Sequence, residues 1–236
     1  MKATLTRPAL ALALFLAVPL ALSLLAAAAQ AANLQITVLG ADGQPAADVA
    51  VQLQPGGVWA SQPLPEPVLI VQKDIRFQPF VTVVPVGSTV RFVNRDRFDH
   101  HVRSQPGGPL GNVAPAQQFE FRLAAVKGGR EAPAAELVMD KVGIVALGCH
   151  LHGSMRGHLL ISNTPWVAVT DAKGQATVAD VPDGALQLRL WHPEQLVDQP
   201  ALRLTAGNSA PVQAALNFSP RRRPPPTPPP KGDYTF

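Results

Sequence analysis

Cysteine is almost absent. One residue in 236 rules out an internal disulfide. Rings are scarce too: a single Tyr and three Trp leave few faces for stacking on nucleobases. Charged residues make up only 15% of the chain, and the formal excess of +4 sits at the ends. Lys2 and Arg7 lie at the amino terminus and four more bases follow Ser219, whereas residues 32–219 hold 14 bases against 15 acids, net −1. The isoelectric point of about 9.6 therefore describes the termini, and a nucleic-acid-binding core is excluded. No window sustains an apolar stripe of helical period over three turns. What is present is 47% hydrophobic residues, enough for a core and for more than one domain.

Those apolar residues are arranged in two ways. Ala9 to Ala29 is a nearly unbroken apolar run after a charged start, and Ala29, Gln30 and Ala31 follow in an A-x-A pattern. These are the three parts of a secretory signal peptide, expected over residues 1–31 with cleavage after Ala31. Uncleaved, the run is long enough to span a bilayer. No later segment approaches that length, so a protein exported to the periplasm, without a membrane span after cleavage, is expected. Elsewhere the apolar residues form short alternating runs such as Leu34 to Leu39, Val49 to Leu53, Thr89 to Val93, Gly143 to Leu147 and Ala185 to Trp191. They are bounded by Gly, Pro, Asn or Asp and read as strands of an all-β fold of sandwiches or Greek keys. Pro220 to Phe236, with seven Pro and three consecutive Arg, reads as a disordered or polyproline-like tail.

Cys149, His152 and Met155 stand at intervals of three directly after an apolar strand. A thiolate, an imidazole and a thioether thus share one tight loop. One Cys, two His and a weak axial Met form the pattern of blue-copper electron transfer, which asks for a second His from another strand. His100 is the candidate. If its segment is extended, it shares a face with Val102, while His101 points the other way. Taken singly, a Cys can be a small buried hydrophobe and a Met a core filler. Together, the only Cys of the chain, a His and a Met stand at ligand spacing, and an exported free thiol needs burial or a metal. Zinc competes for Cys and His, but Met is a poor zinc ligand. The chain has no C-x-x-C-H for haem, no G-x-S-x-G, no H-E-x-x-H and no second His cluster for another copper centre, so an enzyme is not expected.

These residues resemble the cupredoxins, especially the plastocyanin, pseudoazurin and amicyanin type. Cys149 to Met155 matches their C-x-x-H-x-x-M loop in its short, amicyanin-like form. Val86 to Asn94 looks like the family strand before the first ligand, and Phe98-Asp99-His100-His101-Val102 looks like the family's F-P-H-N-V. The departures are Asp99 for Pro and His101 for Asn. The family's Asn ties the two ligand loops together, a task for which an imidazole N–H could substitute. Leu147-Gly148-Cys149 and Thr164-Pro165-Trp166 also look like periplasmic proteins labelled methylamine utilisation proteins, a label that need not make methylamine the substrate here. The resemblance implies one type 1 copper ion held by His100, Cys149, His152 and Met155. It also implies a redox partner protein docking where His152 and Leu151 reach the surface.

A second resemblance flanks the first. Leu34 to Leu53, with its Asp42-Gly43 turn, looks like the front of a carboxypeptidase-regulatory-like, transthyretin-like module, and Val167 to Trp191 looks like its back. Neither half has enough strands to bury both faces alone. The expected organisation is a signal peptide (1–31), a first part of this sandwich (32–60), an inserted Greek-key cupredoxin sandwich (61–163), the second part (164–219) and the tail (220–236). A periplasmic one-electron carrier is the expected function. The alternatives are copper storage or delivery, and a metal-free structural or carbohydrate-associated β protein.

Overall fold

A computed structural model describes residues 31–128, 131–207 and 211–223; the expected leader except its last residue, Ala31, and the end of the tail lie outside them. The described chain is all-β, with sixteen strands and no helix. It opens with β1 (Ala31–Leu39) and β2 (Ala50–Pro55). Nine strands follow: β3 (Val68–Lys73), β4 (Arg76–Gln78), β5 (Val81–Pro85), β6 (Thr89–Asn94), β7 (His100–Gln105), β8 (Glu120–Leu123), β9 (Ala134–Val138), β10 (Gly143–Cys149) and β11 (Arg156–Ser162). It closes with β12 (Val167–Val169), β13 (Gln175–Pro182), β14 (Gly184–Trp191), β15 (Leu202–Ala206) and β16 (Val212–Ala215).

The nine central strands make two sheets, ordered β5-β11-β10-β7-β8 and β4-β3-β6-β9. Alternation along β10 decides what faces what. Val145, Leu147 and Cys149 point into the shared core with Phe92, Val102, Leu159 and Ile161, while Ile144 packs on a different cluster. Full burial of a side chain such as Phe92 contributes roughly 1.5–3 kcal/mol. Cys149 is therefore the last inward residue of a central strand, at the end of a dense core.

The outer strands make two further sheets, β13-β1-β16 and β12-β2-β14-β15. Strands before and after the central nine thus pair with one another: β1 runs antiparallel to β13 and parallel to β16, and β2 runs antiparallel to β12 and β14. Ile36, Val38, Val51, Leu53, Val178, Leu188 and Leu190 fill the space between these sheets. The turn into β13 needs glycine at its tip. Gly174 sits at φ 71°, and a Cβ there would lie 2.4 Å from the Val38 carbonyl oxygen.

The two sandwiches share a small apolar junction of Ala50, Val81, Leu160 and Trp191. Beside it the Ser162 hydroxyl donates to Gln52 Oε1 at 3.1 Å, and Thr164 Oγ1 donates to the Leu53 carbonyl at 2.7 Å. The sequence reading puts Arg221–Arg223 in a disordered tail, whereas the structure lays them on the second sandwich. The Arg223 guanidinium lies 3.4 Å from the centre of the Phe80 ring and 3.6 Å from the Asp48 carboxylate. Stacking on a ring beside a carboxylate orders a cation that composition alone assigns to solvent.

Candidate metal centre

Three ligand atoms converge at one end of the central sandwich. His100 opens β7, the second sheet neighbour of Cys149 through the pairing Cys149 with Val102. Parity along β7 is as the alternation requires: His100 and Val102 are fully buried, and His101 is 31% exposed. His100 Nδ1 lies 3.7 Å from Cys149 Sγ and His152 Nδ1 lies 3.4 Å from it. The imidazole rings sit 4.9 Å apart, and the three ligand atoms all fall within 4.8 Å of one another. Met155 is buried in the same core cluster, in the turn that its N–H closes onto the His152 carbonyl at 2.9 Å.

Asp96, which the sequence reading did not single out, fixes the first imidazole. Its Oδ2 lies 2.9 Å from His100 Nε2. With that nitrogen carrying the proton toward the carboxylate, the Nδ1 lone pair faces the thiol. The same carboxylate accepts the N–H groups of Asp74 at 2.8 Å and Ile75 at 3.2 Å. Those two residues form the β3–β4 turn at φ 54° and 56°, a two-residue loop with both central residues left-handed. For a β-branched residue such as Ile75 that conformation is an outlier, so one buried carboxylate pays for a strained turn and orients a ligand. Asn94 holds the loop between them. Its Nδ2 donates to the Phe98 and Ala124 carbonyls at 2.9 and 2.8 Å, and its Oδ1 accepts the Asp96 N–H at 2.8 Å.

Asp99 ties this loop to the next: it accepts the Ala125 N–H at 2.7 Å and Arg122 Nε–H at 2.8 Å. The expected imidazole tie between the ligand loops takes another form. The His101 side chain turns to Glu120 at 3.0 Å, and the backbone makes the link instead. The His101 N–H points to Cys149 Sγ at 3.4 Å, and the His150 N–H donates to the His101 carbonyl at 2.9 Å. Phe98 covers the pair of imidazoles, with ring centres 5.3 Å from His100 and 5.1 Å from His152.

The electrostatics favour a thiolate. Burial raises the Cys149 pKa, but the His100 bond and the backbone N–H groups of His101, Leu151 and His152 outweigh it and hold the thiol below its usual value. Burial likewise lowers His100, yet its bonds to Asp96 and Cys149 raise it overall. His152 is lowered, first by burial and then by the charge on His100. One soft thiolate, two imidazoles and a buried thioether nearby fit copper, because each is a donor that copper accepts in both oxidation states. A cavity of about 650 Å³ on the second sandwich, against Arg221–Arg223, lies away from these residues. Among the described residues, the single cluster of three metal-ligating groups is His100, Cys149 and His152.

No protein-family model matches the sequence, and no curated protein matches it. Solved structures similar in fold to part of the chain include a Cu(I) protein, a cupredoxin and a copper-containing enzyme. A variant of amicyanin in its Cu(I) form is 19% identical over 48% of this chain and 98% of its own, with a TM-score of 0.32. A purple cupredoxin from Nitrosopumilus maritimus is 20% identical over 40% of this chain and 99% of its own, at 0.33. A copper-containing nitrite reductase from Thermus scotoductus SA-01 is 24% identical over 46% of this chain but only a quarter (25%) of its own, at 0.34.

Proposed function

We propose that the protein is a periplasmic one-electron carrier in which His100, Cys149 and His152, with Met155 as a weaker fourth donor, would hold one type 1 copper ion. The observation that carries this reading is the approach of two imidazole Nδ1 atoms to one buried sulfur, at 3.7 and 3.4 Å. Copper bound there supplies a one-electron couple between Cu(II) and Cu(I). The chain's own residues do the rest. Asp96 presents the His100 lone pair, the backbone amides around Cys149 stabilise its charge, and Phe98 and the core exclude water from both. Ligands on a central strand and loops tied by Asn94 and Asp99 resist movement, which keeps reorganisation on electron transfer small.

Export rests on the leader pattern of residues 1–31 and on the lone unpaired Cys, which a metal would protect. The outer sandwich is assigned to the carboxypeptidase-regulatory-like class, a scaffold around an inserted cupredoxin. Pairing of β1 and β2 with strands more than a hundred residues later supports that assignment. The test is copper stoichiometry with redox cycling. A carrier binds one copper per chain and cycles reversibly without losing it. A delivery protein surrenders Cu(I) to a chelator once reduced, and a metal-free scaffold takes up no stoichiometric copper.

A further inference from the structure

Charge is distributed very unevenly around the candidate centre. Four loops border it. The β3–β4 turn carries Lys73 and Arg76, and its Asp74 and Ile75 N–H groups bond the same Asp96 that holds His100. Arg95 and Arg97 flank Asp96 itself. Arg122 and Lys127 belong to the segment whose Ala125 and Val126 N–H groups bond Asp99 and the Asp96 carbonyl. Arg156 follows Met155 and donates to its carbonyl at 3.1 Å.

These loops hold seven bases against Asp74, Asp96 and Asp99, a surplus of four. The remainder of residues 32–223, with Arg221–Arg223 on the second sandwich, holds ten bases against twelve acids, a deficit of two. Of the three acids, Asp96 is buried and Asp99 is engaged by Arg122. Lys73, Arg95, Arg97, Lys127 and Arg156 are exposed and make no ion pair with any described residue. Just beyond the loops, Arg103 and Glu120 offset one another. Between these loops the ligand loop presents half-buried His152 and Leu151, the latter 43% exposed. An apolar spot at the ligand nearest solvent, bordered by loops that carry unpaired cations on a body otherwise close to neutral, steers and orients a partner of opposite charge.

We propose that this basic collar is the docking surface for an acidic redox protein, which exchanges electrons at the His152–Leu151 edge. The inference rests on the carrier reading above. One electron passes between the copper site and the partner's redox centre, and no bond or proton moves with it.

The experiment is stopped-flow oxidation of the reduced, copper-loaded protein by two ferric c-type cytochromes of similar potential, one acidic and one basic. The blue absorption of each protein is recorded first. A wild type that never turns blue overturns the carrier reading and the inference with it. For a blue protein at low ionic strength, the acidic cytochrome is expected to react about tenfold faster than the basic one and to slow as salt is added. Arg95→Glu and Arg97→Glu should each slow the acidic cytochrome about tenfold with the blue spectrum retained. Lys141→Glu makes the same change of charge before the far end of β10, roughly 20 Å or more from Cys149 by strand rise, and should alter the rate less than about twofold. A faster reaction with the basic cytochrome, or equal slowing by Lys141→Glu and Arg97→Glu, overturns the inference while leaving the carrier reading standing. So does salt-resistant binding to phosphatidylglycerol vesicles that Arg97→Glu abolishes, because it assigns the collar to a lipid surface.

Discussion

Acidification should destabilise this fold well before its carboxylates are protonated, because two histidines are buried in neutral form. His158 on β11 is pushed down to about 4 by burial, then by the charges on His192, Arg223 and Arg156. His192, just after β14, is also pushed to about 4, by burial first. Its Nδ1 accepts the Glu194 N–H at 3.1 Å, while His158 Nδ1 is buried with no hydrogen-bond partner. The folded pKa of each lies below the unfolded value of 6.5, so the unfolded chain takes up protons first. Stability is complete above about pH 6.5, falls as the pH drops, and stops falling from this cause below about pH 4. The linkage gives about 2 kcal/mol lost per histidine at pH 5 and about 3 kcal/mol at pH 4. Asp96 and Asp99, held below the usual carboxylate range, lose their contributions only at lower pH, outside this window. The assay is urea unfolding at about pH 7 and pH 5 for the wild type and for a His158→Phe, His192→Asn double variant, in which Asn offers an oxygen to the Glu194 N–H. Subtraction removes His100 and His152, which both proteins share. About 4 kcal/mol of the wild type's pH dependence should be missing from the variant. Equal loss in the two proteins would refute the buried neutral pair.

Asp96→Asn should cost about 1–3 kcal/mol, because an amide whose one oxygen still accepts from the Asp74 N–H sets its own N–H groups against the Ile75 N–H and His100 Nε2–H, which share the other carboxylate oxygen. Denaturation and the reduction potential, expected to rise with a less basic imidazole, check it. Met155→Leu should leave copper bound and raise the potential, read by voltammetry, since a long axial thioether is a weak donor that favours Cu(II). His101→Ala should keep the blue spectrum, because the link to Cys149 is made by the His101 backbone and its side chain turns to Glu120.

The local parts of the site were legible because they are written in consecutive residues. The C-x-x-H-x-x-M spacing after an apolar strand places three residues in one turn, and alternation alone separates His100 from His101. Asp96 was not legible: what reveals it is the arrival of two N–H groups from a turn more than twenty residues earlier, which no pattern around His100 encodes. The β4, β9, β13, β15 and β16 strands were not read from the sequence, the first two for a related reason. β4 is three residues long, and β9 alternates between exposed and half-buried positions at a sheet edge, so neither carries a strong apolar period. The β1–β13 and β2–β14 pairings depend on contacts across the whole central sandwich, and only resemblance hinted at them. The order at Arg223 depends on Phe80 and Asp48, both far away in sequence.

The most direct test of the copper centre is the absorption and electron paramagnetic resonance of the copper-loaded protein beside its Cys149→Ser variant. The account predicts an intense blue band from thiolate-to-copper charge transfer with the narrow hyperfine splitting of a type 1 site, and the loss of both in the variant. A colourless copper complex in the wild type, or a spectrum unchanged by Cys149→Ser, would contradict it.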